Sequence, residues 1–227
     1  MLEPEAVQAA LLAAAGEVQA LVNHLGVAAR SANAAKLVFE TDLQASFRRA
    51  LQYGRTELVS VDTRLSGSGL LAQPCDIVVA ARTRTPQLAA EIAWHPRGED
   101  HAGFAQGVIA DVVKMALARS AGAVEQAAVL VSAPPRFWRW APGYAQEHSG
   151  FELLTPDADA PASAKSEFLA GAAWDSLFGP DTTSELPERL WTSVLADANV
   201  RSPWIESDLR LFEVKGIGKL LSVRPEG

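Results

Sequence analysis

The spacing of hydrophobic positions changes several times along the chain, and each change predicts an element. Residues 4–26 are rich in Ala, Leu, Glu and Gln, strong helix formers, and Gly26 is expected to close this first helix. A second helix is expected over 31–54: Leu37, Phe39, Leu43, Phe47 and Leu51 recur at helical spacing, Ser31 or Asn33 can cap it, and Gly54 can stop it. The period then falls to two. Residues 56–65 alternate as a strand, 75–82 give a second, and 88–95 a third. Only Thr83–Gln87 separates the second from the third, too little for a crossover helix, so the three should form an antiparallel meander.

Helical spacing returns over 103–120, with Phe104, Val108, Val112, Met115 and Ala116 on one face and Asp111, Lys114 and Arg119 toward other sides. Lys114 falls about 160° from Val112 by the helical period, which predicts that it points away from the packing face. An apolar strand follows through Val129, Leu130 and Val131, ended by Pro134 and Pro135. A helix between the third and fourth strands permits parallel pairing. The predicted fold class is therefore α/β, with a mixed central sheet and packed helices.

Residues 134–165 read as irregular, with aromatic and arginine side chains interleaved and then a Pro/Ala/Asp-rich loop. Residues 164–179 and 184–199 read as partly helical, and 208–216 and 218–225 as two short strands. A single domain over 1–227 is expected, its core in 31–133 and its C-terminal elaboration in 134–227.

Composition narrows the class. The chain has 227 residues, 20 Lys+Arg against 27 Asp+Glu and a net charge of -7, divided almost evenly between its halves, which argues against a freestanding basic nucleic-acid module. Cys75 is the lone cysteine, so no internal disulfide or multi-cysteine metal centre can form. With no basic-then-apolar leader and no unbroken apolar run of membrane-spanning length, the expectation is a soluble cytoplasmic protein with no membrane partner.

Candidate chemistry centres on two carboxylates. Asp76 begins one strand and Glu91 lies on its hairpin partner, so the two can approach near one end of the sheet, where a divalent ion would find oxygen ligands. The order helix, three antiparallel strands, helix, strand, together with Pro74-Cys75-Asp76 and Glu91-Ile92-Ala93, resembles the PD-(D/E)xK (restriction-endonuclease-like) nuclease superfamily over about residues 31–133. The resemblance implies Glu40, Asp76 and Glu91 as ligands of Mg²⁺ or Mn²⁺, and phosphodiester hydrolysis of DNA or RNA. Ala93 stands where that pattern has lysine, removing the ammonium expected to orient the nucleophile or to stabilise developing charge.

His95 shares the strand face of Glu91 and Ala93 and is the candidate replacement, as base, ligand or hydrogen-bond donor, beside Asp76 and Glu91 as catalytic residues. A second Glu-x-Lys, Glu213 to Lys215, reads as part of a half-exposed edge strand. Cys75 reads as a small buried side chain. Arg136, Trp138, Arg139 and Trp140 could contact a nucleic-acid strand locally, or cover the sheet or a homodimer or protein contact; Arg82 and Arg84 read as a solvated hairpin. The favoured expectation is a catalytically degenerate nuclease-like protein with a binding or assembly role. Its alternative is a Mg-dependent nuclease with a non-standard substitute for the missing lysine.

Overall fold

A computed structural model describes residues 3–29, 38, 40–53, 57–65, 73–80, 85–95, 100–147, 154, 158–161 and 184–223. In chain order the elements are α1 (Pro4–Ala29), α2 (Glu40–Gln52), β1 (Val59–Arg64), β2 (Pro74–Val79), β3 (Leu88–Trp94), α3 (His101–Ser120), β4 (Gln126–Ala133), α4 (Pro135–Glu147), β5 (Ala158–Pro161), β6 (Ser184–Arg201) and β7 (Glu206–Val223). The strands form one mixed sheet in the order β1-β2-β3-β4-β7-β6-β5. The β1-β2-β3 meander is antiparallel and β3 runs parallel to β4, because α3 carries the chain back across the sheet between them.

Helices cover both faces. Leu88, Ala90 and Ile92 of β3 and Leu130 of β4 join Leu43, Phe47 and Leu51 of α2 in a core on one side. Ala89 and Ala93 of β3 with Val129 and Val131 of β4 meet α3 and α4 on the other. Strict alternation thus sends Glu91, between Ala89 and Ala93, toward α3. By length and composition α1 could cross a membrane. Its Val7, Leu11, Ala14, Val18 and Val22 are instead buried in the core it shares with α2 and β6, the packing of a core helix.

Several expectations are corrected. Gly26 does not close α1 but lies within it, where a Cβ would collide with the indole of Trp204; the glycine permits a close approach. Residues 135–147 are helical, since Pro135 occupies the first position, where its missing N–H costs nothing. Residues 184–199 belong to β6, whose buried Ala196, Ala198 and Val200 alternate with exposed Asp197, Asn199 and Arg201. The two short C-terminal strands are one strand, β7, and it is interior, between β4 and β6. Residues 31–37 and 39, Gly54, Arg82, Arg84 and 164–179 lie outside the described residues.

Candidate functional site

The site lies where the meander opens. β2 and β3 are paired from Val79–Leu88 to Ile77–Ala90, and one further step sets Asp76 opposite Glu91. At that step the Ile92 N–H donates not to a backbone carbonyl but to Asp76 Oδ2, at 2.7 Å. Gln44 of α2 donates to the Asp76 carbonyl at 3.0 Å, fastening the helix that carries Glu40 to this end of β2. Glu40 opens α2, and the Trp94 N–H is hydrogen-bonded to its carboxylate. The three acids expected from the sequence are therefore brought to one place.

Two residues absent from the expected set complete it. The Lys114 ammonium forms an ion pair with Glu91 Oε1 and donates to the Pro74 carbonyl at 2.7 Å, with both charged residues almost wholly buried, 5% and 6% exposed. This overturns the outward placement of Lys114. Around Lys114, residues Val112, Val113, Met115 and Ala116 are all buried, so α3 has no solvent side at this turn. Asp111 is the other addition. Gly103, Gly107 and Asp111 line the same cavity as Glu40, Asp76 and Glu91, about 370 Å³ in volume, and Lys114 continues their row one turn on. A Cβ on Gly107 would meet nothing within 4 Å, so this glycine leaves the wall of the cavity open, whereas Gly103 lies against the Asp100 carboxylate that caps the helix. The spacing Gly103, Gly107, Asp111, Lys114 is the sequence signal that could have revealed this row.

Electrostatics distinguish the cavity from ordinary surface. Burial pushes the Glu91 carboxyl up to about 7, against the opposing pull of Lys114, and Asp76 adds to the rise. Burial raises Asp76 despite the Ile92 N–H, and raises Glu40 with help from the Asp76 charge. Asp111 is pushed well up by burial and then by Glu91. Cys75, beside Glu91, is driven up to about 12, chiefly by burial, so its thiol is inert as a nucleophile. Four carboxylates share one ammonium, an arrangement that a further cation would relieve. Glu40, Asp76 and Glu91 are meanwhile each turned to a partner within the chain, and among the described residues no three His, Cys, Asp or Glu side chains are drawn together as a ready set of ion ligands.

His95 is placed on the expected face but in different company. Its Nε2 lies 3.0 Å from His101 Nδ1, and its ring stacks on Phe104 at 4.3 Å. Phe104 lines the acidic cavity; His95 does not. The histidine supports the cavity wall through Phe104 and does not reach the carboxylates. Glu213 and Lys215 are elsewhere again. Glu213 sits two strands from Glu91, about 10 Å across the sheet. Arg119 binds it at 2.7 Å and Lys215 at 3.1 Å, and these cations hold its carboxyl below the usual range despite burial.

In α4, Trp138 is buried, donating from Nε1 to the carbonyls of Ala133 and Asp208 at 3.2 Å, with the Arg210 guanidinium over its ring. Trp138 is thus a core residue, not a platform for a base. Comparison of the chain with protein-family models, with curated proteins and with solved structures returns no match.

Proposed function

We propose that the chain is a divalent-metal-dependent phosphodiester hydrolase of restriction-endonuclease-like type, in which Lys114 of α3 takes the part that the third-strand lysine plays in the PD-(D/E)xK pattern. The observation that carries this reading is the Lys114 ammonium paired with Glu91 at the edge of a cavity lined by Glu40, Asp76, Glu91 and Asp111. Ala93 was the reason to expect lost catalysis, and an ammonium from the neighbouring helix removes that reason. Glu40, Asp76 and Glu91 would hold Mg²⁺ or Mn²⁺, hard ions that favour carboxylate oxygen. A bound ion would polarise the phosphoryl oxygen and make its water a better nucleophile. Lys114 would stabilise negative charge developing on phosphate, where one buried donor is worth roughly 10²–10³ in rate. Asp111 lines the same cavity and would add a further carboxylate oxygen beside the ion.

The test joins calorimetric titration with Mn²⁺ to cleavage assays on single- and double-stranded DNA and RNA, in wild type, Glu91→Gln and Lys114→Met. Wild type should bind the ion and cleave at least one of these polymers. Both variants should stay folded by circular dichroism and lose about 100-fold or more in turnover. Metal-independent cleavage, or full activity in Lys114→Met, defeats the proposal.

A second reading, a nuclease-like protein that binds or assembles without cleaving, is favoured by one observation: Glu40, Asp76 and Glu91 share a cavity but each faces a partner within the chain, and among the described residues no three acids are placed as ion ligands. It predicts no heat on Mn²⁺ titration and no cleavage by wild type.

A further inference from the structure

The amphipathic geometry of α4 divides its residues cleanly. Phe137, Trp138 and Ala141 are buried, whereas Arg136, Arg139, Pro142 and Gly143 are exposed. Between these faces runs a flank at i, i+4, i+8: Arg136, Trp140 and Tyr144, with Arg139 one residue before Trp140. Trp140 and Tyr144 are half-buried and stacked at 4.4 Å. Throughout 126–146 the only charged side chains are Arg136 and Arg139, in a chain whose net charge is -7. Arg136 and Arg139 thus form a local cationic pair in an acidic chain, on a helix whose last residue is Glu147.

This flank is linked to the wall of the acidic cavity by ring contacts that run through the buried Phe137. Phe104, which lines the cavity, meets Phe137 at 5.3 Å; Phe137 meets Trp140 at 5.7 Å; and Trp140 meets His101 at 5.3 Å. The Arg136 charge is near enough to help burial push the His101 imidazole down. Beside the two arginines is a recess of about 290 Å³, bounded by Pro134, Pro135 and Glu206. Glu206 opposes an anion there, but it is itself drawn to Arg201 at 3.5 Å.

We propose that this flank of α4 binds single-stranded nucleic acid, with Arg136 and Arg139 on successive phosphates and the Trp140–Tyr144 stack against an unpaired base, and leads the strand to the acidic cavity. The proposal rests on the phosphodiester reading for the destination of the strand, but not for its binding. A duplex is disfavoured because its bases are already stacked and two arginines neutralise little of its dense charge, whereas an aromatic pair beside two guanidiniums suits a flexible strand.

The test is fluorescence anisotropy in EDTA, using a labelled single-stranded DNA oligonucleotide, the same sequence as duplex, and polyglutamate as competitor. Wild type should bind the single strand in preference to the duplex, and polyglutamate should not displace it. Arg136→Gln/Arg139→Gln should weaken binding about tenfold and flatten the log–log salt dependence by about 1.4, the release expected for two phosphates of a single strand. Trp140→Leu should weaken it roughly tenfold and Trp140→Phe should restore most of it. Equal binding of duplex, displacement by polyglutamate, or wild-type affinity in the arginine variant overturns the proposal. Strand binding without cleavage at any metal concentration defeats only the phosphodiester reading. Cleavage of single strands by the arginine variant at an unchanged KM defeats only this one.

Discussion

Two glutamates sit on neighbouring parts of one sheet, each answered by a cation from α3, and they behave in opposite ways. Glu213 has a lysine two residues on and also receives Arg119, so two cations hold its carboxyl low despite burial. Glu91 has alanine two residues on, receives Lys114 alone, and is buried among three other carboxylates, so its carboxyl is pushed up to about 7. The strand with the Glu-x-Lys spelling holds a structural ion pair. The strand with alanine in place of the lysine holds the candidate chemistry. Burial and the ratio of acids to cations decide the character of each glutamate, and the short motif does not.

The largest test of this contrast is stability. Glu91→Ala or Lys114→Ala strands the surviving charge in the interior and should cost about 3–5 kcal/mol in urea denaturation. Arg119→Ala, whose glutamate keeps Lys215, should cost about 1 kcal/mol or less. Similar losses at both places would erase the distinction.

The pH dependence should differ in sign. Glu91 titrates near 7 in the fold and near its ordinary 4.5 when unfolded, so the native state holds the extra proton between those values. Its contribution to stability is complete below about pH 4.5 and is lost as pH rises through 7. Glu213 is lowered, so its contribution is present above about pH 4.5 and is lost as pH falls through its folded value. Glu91→Gln should therefore flatten the stability profile between pH 4.5 and 7, and Glu213→Gln only the acid limb. The midpoint of urea unfolding against pH reads both.

Smaller effects separate packed from open glycines. Gly26→Ala drives a methyl into Trp204 and should cost about 1–3 kcal/mol. Gly107→Ala points into the open cavity and should raise stability by roughly 0.5–1 kcal/mol through helix propensity, while narrowing the cavity. A thermal melt of each variant suffices, and a loss at Gly107 would show that the cavity wall is more crowded than the structure has it.

The meander, α3 and the parallel β4 were legible because apolar period and loop length there point to one answer. Asp76 and Glu91 followed from that placement and Glu40 only from the resemblance to the PD-(D/E)xK pattern, and all three line one cavity. β6 was hidden by Glu, Leu and Ala, helix formers whose preference is overridden by pairing with β7 along nearly its whole length. α4 was hidden by Pro134-Pro135, which both ends a strand and begins a helix. Lys114 was missed because a single helical wheel assumes one buried face, whereas α3 is buried around most of its circumference at that turn. His95 was placed on the right strand face, but His101 six residues later takes its hydrogen bond.

The joint made by Lys114 has a consequence for the order in which the molecule is built. Its ammonium touches the start of β2 through the Pro74 carbonyl and the middle of β3 through Glu91, while its own backbone belongs to the crossover helix. A meander formed alone would carry Asp76 and Glu91 without the Lys114 ammonium. The cation arrives only when α3 docks, so assembly of the cavity coincides with closure of the three-layer fold, and a half-folded chain carries no completed centre.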